Sequence, residues 1–253
     1  MHARRPPSVK SARRAMEVME LFEKLRRPLG VLEIARLLEY PQSSASLLVN
    51  ALAEMGYLNF DSRTRKFAPT LRLALLGSWI QGRGADPARL IALLRETSLA
   101  TRETAVLSTQ NALNVQYVYL VEHVPRGRLI ARPGALRPLC RSAPGLVLLS
   151  RYPDPRIALI VRQLGDSGAG REDLADVMTR VRAMRETGYA WIAGRFDPAI
   201  GSVAVPLPFG DVFDKPLVLS IAAAAGRVRS QHARLGEQLL GIVSRASAAP
   251  GSP

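Results

Sequence analysis

The sequence predicts an α+β protein with two domains, a small helical domain followed by a larger domain in which strands and helices alternate. First, residues 28–60 contain two short helical patterns, which are separated by a break at Pro41 and ended by Gly56. Second, from residue 104 onward short apolar strand patterns alternate with helical patterns. Third, the segment Gln81-Gly82-Arg83-Gly84 has the composition of a domain boundary.

The composition bounds the class of protein. The chain has 253 residues, of which 47% are apolar, so it can build the cores of one large or two ordinary domains. A net charge of +14, spread over both parts of the chain, favours a polyanionic partner. The single cysteine excludes an internal disulfide framework and fits a reducing cytosol. Since no apolar run is long enough for a membrane helix, we expect a cytoplasmic protein with no membrane partner.

The N-terminal residues divide into an arm and a first helix. Residues 1–10 are basic and rich in proline, and we expect a disordered arm there. Ser11 is the predicted N-cap of a helix that extends to about Arg27. Its apolar stripe is formed by Ala15, Val18, Met19, Phe22 and Leu25.

The third predicted helix, residues 42–55, has two different sides. At about 100° per residue, Ala45, Leu48, Val49 and Leu52 share the side that packs on the first two helices. The small polar side chains of the opposite side suit a close approach to a DNA duplex, and an amide can read an adenine edge. The candidate DNA-contacting residues of this helix are Gln42, Ser43, Ser44, Ser46, Leu47 and Asn50. This arrangement is typical of a helix-turn-helix.

A hairpin is predicted after the third helix. Residues 57–60 and 66–68 read as its two strands, and Arg63, Arg65 and Lys66 lie at its tip. Three cations on a protruding turn suit backbone phosphates. Residues 11–69 therefore read as a winged helix-turn-helix domain, and residues 70–85 as a linker helix and hinge. The apolar pattern over residues 71–80 requires a partner surface.

The second predicted domain covers residues 86–248. Asp86 and Pro87 are typical of a helix start, and further helices are expected near residues 143–152, 155–164, 172–187 and 226–247. Strands are expected at residues 104–110, 115–124, 129–132, 189–192, 202–207 and 217–222. Because both faces of residues 115–124 are largely apolar, this strand is expected at the centre of the sheet.

The residues described so far carry a family resemblance. The chain resembles the IclR family of bacterial transcription regulators over nearly its whole length. In the N-terminal part the resemblance rests on Arg14-Ala15, the run PLGVLEIARLLEYPQSSAS from Pro28, Gly56-Tyr57-Leu58 and Asp61. In the C-terminal part it rests on Glu103-Thr104-Ala105, Pro138-Leu139, Ala143 with Gly145, Gly188-Tyr189 and GSVAVPL from Gly201.

The resemblance implies more than the residue patterns alone. It implies a GAF-like effector-binding domain with a curved antiparallel sheet, and a homodimer or tetramer that binds a double-stranded DNA operator. A small-molecule effector, often an organic or aromatic acid, would control DNA affinity, and no cofactor is expected. The pocket-lining positions that the resemblance implies are Ser142, Ala143, Gly145, Ile192, Ser202, Ser220 and Ala222. The hydroxyls of Ser202 and Ser220 can bond a carboxylate, or they can be ordinary strand hydroxyls bonded to the backbone.

The chain also departs from the family pattern. Gln42 and Leu47 stand where the family usually has Lys and Arg on the recognition helix, so the wing and the arm would carry more of the binding. Ile192 replaces a commonly acidic residue, which favours a more apolar effector.

The sequence leaves three other functions to consider. The first is an interaction or dimerisation module that keeps the fold without binding DNA. The second is an enzyme with Cys140 as nucleophile, His123 as base and Asp197 as its orienting group, although nothing in the sequence brings them together. The third is a metal site among His2, His123, His232 and Cys140, which show no paired ligand spacing. We expect neither an enzyme nor a metal site.

Overall fold

The computed structural model describes residues 9–73, 75–76, 86–123, 132–166, 172–209 and 215–248. The chain divides into two compact units, residues 1–79 and 80–253. Residues 1–8 of the predicted arm, residues 77–85 of the linker helix and hinge, and residues 249–253 of the C-terminal tail lie outside the described residues, as does most of the strand expected at 129–132. Lys10, which was assigned to the arm, is the first residue of a helix. The predicted domain bounds therefore stay predictions.

Three helices form the core of the first unit, namely α1 (Lys10–Leu25), α2 (Val31–Leu37) and α3 (Gln42–Glu54). Val18, Phe22, Ile34 and Val49 pack together in this core. The prediction that Ser11 caps the first helix is wrong, because the helix begins one residue earlier and Val9 occupies the cap position without a side-chain hydrogen bond.

The turn between α2 and α3 is held by both backbone and side chains. Glu39 adopts a left-handed conformation with φ of 55°, and the Tyr40 N–H donates to the Ala35 carbonyl at 2.8 Å. The Tyr40 hydroxyl donates to the Glu17 carboxylate, and the Arg14 guanidinium lies 4.6 Å from the Tyr40 ring centroid. These contacts join the turn to α1 and fix the direction in which α3 begins.

The predicted wing is present as a two-stranded antiparallel hairpin, β1 (Leu58–Asp61) and β2 (Lys66–Pro69). Leu29 forms an isolated bridge with Phe67, whose ring is buried in the helical core. The hairpin is therefore anchored to the same core as α3. After it, residues 71–73 and 75–76 are helical, and Leu71, Leu75 and Leu76 are exposed.

The second unit contains one antiparallel sheet and five helices among the described residues. The strands are β3 (Thr104–Asn111), β4 (Asn114–Val121), β5 (Leu136–Pro138), β6 (Ala190–Ala193), β7 (Ile200–Pro206) and β8 (Leu217–Ala224). The helices are α4 (Pro87–Thr101), α5 (Ala143–Leu149), α6 (Asp154–Asp166), α7 (Leu174–Thr187) and α8 (Ala225–Ala248), and a 3₁₀ turn covers Leu139–Arg141.

The sheet has the strand order β5-β4-β3-β8-β7-β6, and all its described pairings are antiparallel. Helices α4 and α8 contribute to a hydrophobic cluster that includes Val203, Leu219 and Ile221 of the sheet. The 3₁₀ turn, α5, α6 and α7 contribute to a second cluster that includes Ile192, Ala204 and Val218. Because side chains alternate along a strand, these sets lie on opposite faces, and the sheet is a central layer between two helical layers.

The expected position of one strand is wrong. The strand predicted from residues 115–124 is β4, which lies next to the edge strand β5, whereas β3 and β8 are central. Val118 of β4 is 45% exposed and only Val115 is fully buried. Apolar side chains on both faces therefore did not require burial on both faces.

The packing of α8 on β6 gives a first testable prediction. A Cβ at Gly236 would come within 2.5 Å of the Tyr189 ring, whereas at Gly241 it would meet only the flexible end of Arg245 at 3.7 Å. We expect Gly236→Ala to destabilise the second unit by about 1–3 kcal/mol, because the ring must move. The matched change Gly241→Ala should stabilise the helix by roughly 0.5–1 kcal/mol. Urea unfolding followed by circular dichroism measures both, and equal effects of the two changes would contradict this packing.

Candidate functional site

Helix α3 presents one buried and one exposed side. Ala45, Val49 and Leu52 are buried against the core. Gln42, Ser43 and Asn50 are exposed, and Leu47 is 75% exposed. Ser44 and Ser46 are half-buried on the flanks. All six candidate residues of this helix therefore lie on its accessible side, as their angular spacing predicts.

The N-terminus of α3 lacks a side-chain cap. Pro41 occupies the N-cap position, and no side chain accepts a hydrogen bond from the first turn. The first N–H groups of a helix have no partner within the helix, and the helix dipole favours an anion there. This end of α3 can therefore accept a phosphate group from solvent.

Asn50 is held by its own helix. Its amide nitrogen Nδ2 donates to the Ser46 carbonyl at 2.9 Å, and its distance to the Ser46 hydroxyl is 3.4 Å. This contact limits the rotamers of the exposed side chain. The amide oxygen accepts no hydrogen bond among the described residues and remains available to a base edge.

The tip of the wing is ordered by Asp61. Its carboxylate accepts hydrogen bonds from the Arg63 N–H at 2.9 Å and from the Thr64 hydroxyl at 2.8 Å. These bonds, the Thr64 hydroxyl first, lower the pKa of Asp61 below its ordinary value. Arg63, Arg65 and Lys66 are exposed, and they form no ion pair among the described residues. Three unpaired cations are thus held on one rigid turn.

A cavity of about 260 Å³ lies in the second unit between the sheet, α5 and the segment after β6. Six of the seven pocket positions that the family resemblance implies line it, namely Ser142, Ala143, Ile192, Ser202, Ser220 and Ala222. The strand register explains why they meet, since Ile192 is opposite Ser202 and Ser202 is opposite Ala222. Their side chains therefore share one face of the sheet.

Gly145 is not part of the cavity wall, which corrects one of the predicted positions. A Cβ at residue 145 would come within 2.0 Å of the Leu139 carbonyl oxygen. Gly145 also donates its N–H to the Ser142 hydroxyl at 3.2 Å. Its role is to let α5 approach the 3₁₀ turn, which positions the neighbouring Ser142 and Ala143.

The three serine hydroxyls of the cavity differ in availability. Ser142 caps α5 and donates to the Pro138 carbonyl at 3.3 Å, and Ser220 donates to the Val106 carbonyl at 3.4 Å. The Ser202 hydroxyl makes no hydrogen bond among the described residues. Ser202 is therefore the hydroxyl best placed to bond a ligand.

Several other residues line the cavity that the sequence did not single out. The Arg137 guanidinium lies 4.0 Å from the Phe196 ring centroid and 5.6 Å from that of Tyr117. Burial raises the pKa of Tyr117, although Arg137 opposes the rise, so its phenol is neutral at pH 7. Arg141 and Asp197 also line the cavity. Phe196 is 58% exposed, which the sequence alone does not show.

An ion-pair network holds the residues behind this cavity. The Glu172 carboxylate, which is 9% exposed, pairs with Arg141, Arg180 and Arg195 at 3.1–3.3 Å. Asp176 pairs with Arg180 and Arg195. Partial burial acts to raise the pKa of Asp176, but these two arginines act against it, and the pKa lies below its ordinary value. Arg141 also donates to the Arg195 carbonyl at 3.0 Å, so the segment after β6 is fixed at the cavity.

The residues weighed for catalysis do not form a reactive group. Burial, with a smaller contribution from Glu172, raises the pKa of Cys140 to about 12, so its thiol is protonated at neutral pH. A protonated, buried thiol is a poor nucleophile. His123 is exposed, and in the described part of the chain no hydrogen bond joins it or Asp197 to Cys140.

The described residues contain neither a candidate metal site nor a candidate membrane span. No group of three or more His, Cys, Asp or Glu side chains there could hold a metal ion. No helix there has the length and apolar composition needed to cross a membrane.

Comparison with known proteins extends over both units. Residues 11–62 match the IclR helix-turn-helix domain, and residues 88–248 match the bacterial transcriptional regulator IclR C-terminal domain. The chain is 24% identical over 219 residues to the HTH-type transcriptional regulator KdgR of Escherichia coli (strain K12), covering 84% of this chain and 80% of the relative. It is 24% identical over 254 residues to the Pca regulon regulatory protein of Pseudomonas putida, covering 96% and 83% respectively.

Solved structures show the same fold. The IclR family transcriptional regulator from Brucella abortus has a TM-score of 0.56 at 21% identity, covering 96% of this chain and 93% of that one. The effector domain of the putative transcriptional regulator IclR from Acinetobacter sp. ADP1 has a TM-score of 0.57 at 27% identity, covering 64% and 95%. The family consists of transcription regulators and not of enzymes. With both of its domains matched, this chain belongs to the IclR family of bacterial transcription regulators.

Proposed function

We propose that this chain is a sequence-specific DNA-binding regulator whose affinity for a double-stranded operator is controlled by a small organic or aromatic acid. The observation that carries the DNA-binding part is the pairing of two surfaces on one core. Helix α3 offers a cation-free face of small side chains, and the wing offers three cations that make no ion pair among the described residues. The first surface can read bases and the second can neutralise phosphates.

The two surfaces divide the work of recognition. The uncapped first turn of α3, with Ser43 and Ser44, binds a backbone phosphate. Gln42 and Asn50 bond base edges, and Leu47 contacts a thymine methyl group. Arg63, Arg65 and Lys66 contact phosphates beside the groove and add affinity without base preference.

The cavity of the second unit supports the effector part of the proposal. Its apolar wall includes Val106, Ile192 and Ile200, and Arg137 supplies a guanidinium at its edge. An acid with a small apolar or aromatic body would place its carboxylate between Arg137 and the Ser202 hydroxyl. The replacement of a commonly acidic residue by Ile192 favours such a body over a strongly polar one.

Self-association is the remaining part of the proposal. Leu71 is 73%, Leu75 58% and Leu76 53% exposed on one short helical stretch. An exposed leucine surface of this kind favours burial against a second copy. We propose that the chain forms a homodimer, with a tetramer as the larger alternative, because two copies of α3 would then contact two operator half-sites.

The second candidate function is an interaction module that retains the fold without binding DNA. It is favoured by the lack of Lys and Arg on α3. A gel-shift series with the DNA upstream of the chain's own gene separates the two functions. Tight, salt-sensitive binding with sequence preference supports the regulator, whereas weak binding without preference supports the module.

A prediction for base reading concerns Asn50. We expect Asn50→Ala to relax the preference at one base position by about 1–3 kcal/mol, a factor of roughly 5 to 150, because an amide–adenine contact is lost. Glu54→Ala, one turn further along the same exposed side, is the matched control and should leave preference unchanged. Binding-site selection from random DNA measures both. Unaltered selectivity of Asn50→Ala would mean that the side chain does not face the groove.

A prediction for phosphate binding concerns the wing. Replacing Arg63, Arg65 and Lys66 together by Gln should weaken binding almost equally for all DNA sequences. The slope of log affinity against log salt should become shallower by about 0.9 per lost phosphate contact. Arg156→Gln, on the surface of the second unit, is the control. A changed base preference instead would show that the wing enters a groove and reads bases.

A prediction for the effector cavity uses benzoate and its neutral analogue benzamide. A ligand that binds the folded chain raises the melting temperature more the further its concentration exceeds its Kd, so benzoate should stabilise the protein and benzamide should do so less. Arg137→Gln should remove most of the benzoate effect, whereas Arg151→Gln, outside the cavity wall, should keep it. Equal melting-temperature shifts for benzoate and benzamide would show that the carboxylate does not contribute to binding.

A further inference from the structure

A second cavity lies at the free edge of the sheet, apart from the proposed effector cavity. It measures about 480 Å³ and is lined by consecutive residues of β6 together with residues of α7 and α8. β6 is an edge strand in the described sheet, and its only paired neighbour there is β7. The cavity is therefore a space between two helices, with the strand edge as its floor. Its volume falls in the range of about 300–1,000 Å³ that is usual for small-molecule sites.

The hydrogen-bond pattern of β6 shows which backbone groups face this space. The Gly194 N–H donates to the Ile200 carbonyl at 2.8 Å, which continues by one step the register in which Ala193 is opposite Gly201. In an antiparallel pair, bonded and non-bonded positions alternate along each strand. Trp191 therefore directs its N–H and C=O groups away from β7, and so does Ala193. Both residues line the cavity.

The walls of the cavity are aromatic and basic. The Trp191 ring stacks on the His232 ring with a centroid distance of 4.3 Å and an angle of 9°, and the Tyr189 hydroxyl lies 3.3 Å from His232 Nδ1. Arg180, Arg195 and Arg229 line the cavity, and no Asp or Glu among the described residues does so. Two of these arginines are ion-paired with carboxylates behind the wall, so the charge that makes the space complementary to an acid is that of the third, Arg229.

One of these arginines is available to a ligand. Arg180 and Arg195 are paired with Glu172 and Asp176, whereas Arg229 makes no ion pair or hydrogen bond among the described residues. Its Nη2 lies over Gly194, so close that a Cβ there would be at 2.9 Å. Since Arg229 and His232 are three residues apart on α8, they lie side by side above the strand edge.

From this arrangement we infer that the edge cavity is a second ligand site, which binds a small aromatic carboxylate. The carboxylate bonds the Arg229 guanidinium and the Ala193 N–H at the Gly194 end of β6. The aromatic body lies along the Trp191–His232 ring pair. Only two residues of β6 offer free backbone groups, which suits a small acid better than an extended peptide. The inference does not depend on the proposed effector cavity.

The test uses the full chain with Trp79→Phe, which leaves Trp191 as its single tryptophan, and 3-phenylpropionate as the probe. We expect saturable change of Trp191 emission on titration with the acid, and a response at least about tenfold weaker with the neutral 3-phenylpropionamide. Arg229→Gln should weaken acid binding by about tenfold. Arg234→Gln, an exposed arginine on the same helix that does not line the cavity, should leave it unchanged.

A second control separates this cavity from the proposed effector cavity. Arg137→Gln should leave the Trp191 titration unchanged, and failure of the effector proposal would not alter it. The inference is overturned if Arg229→Gln binds like the parent, if acid and amide bind equally, or if only Arg137→Gln abolishes the response. It is also overturned if Trp191 emission changes with protein concentration and not with the acid, because the edge would then be an interface between copies of the chain.

Discussion

One largely buried carboxylate joins three segments of the second unit. Glu172 is 9% exposed, and three arginines from three different segments converge on it. Arg141 comes from the 3₁₀ turn, Arg180 from α7 and Arg195 from the segment after β6. A carboxylate buried without partners would cost several kcal/mol, so these segments must assemble together. Both cavities take wall residues from the arginines that Glu172 holds, and their shapes therefore follow from this network.

The sequence predicted what local periodicity determines. The two sides of α3 follow from the spacing of Ala45, Val49 and Leu52, and the wing follows from two short strands around a polar turn, as the structure confirms. Gly145 was misplaced because its role depends on the Leu139 carbonyl, a tertiary contact that no spacing encodes. Arg137 was missed because its partners come from other segments of the chain. The position of β4 was missed since apolar alternation does not determine strand order.

A recognition helix without cations changes the balance of the proposed DNA contact. Lys and Arg on such a helix would raise the affinity for phosphates of any DNA sequence. Ser43, Leu47 and Asn50 instead add affinity mainly where the DNA bases match. Affinity then rests on the wing and on the uncapped helix end, and discrimination rests on α3. Such a division makes nonspecific binding weak at high salt, because few phosphates are neutralised. It also makes the rigid Asp61 turn important, since the wing cations must be held where the helix can reach its bases.

The two cavities are joined through one side chain. Ile192 lines the proposed effector cavity from the sheet face and also lines the edge cavity. Its neighbour Trp191 stacks on α8, while Arg195 ties the following segment to Glu172. A ligand in either cavity therefore contacts the same four-residue strand, and any displacement of that strand alters both walls. Where a ligand in one cavity displaces β6, the affinities of the two cavities are coupled, and the coupling is equal in both directions because linkage is reciprocal. Its sign depends on whether the two ligands favour the same position of β6, and β6 can respond because it is held by a strand on one side only.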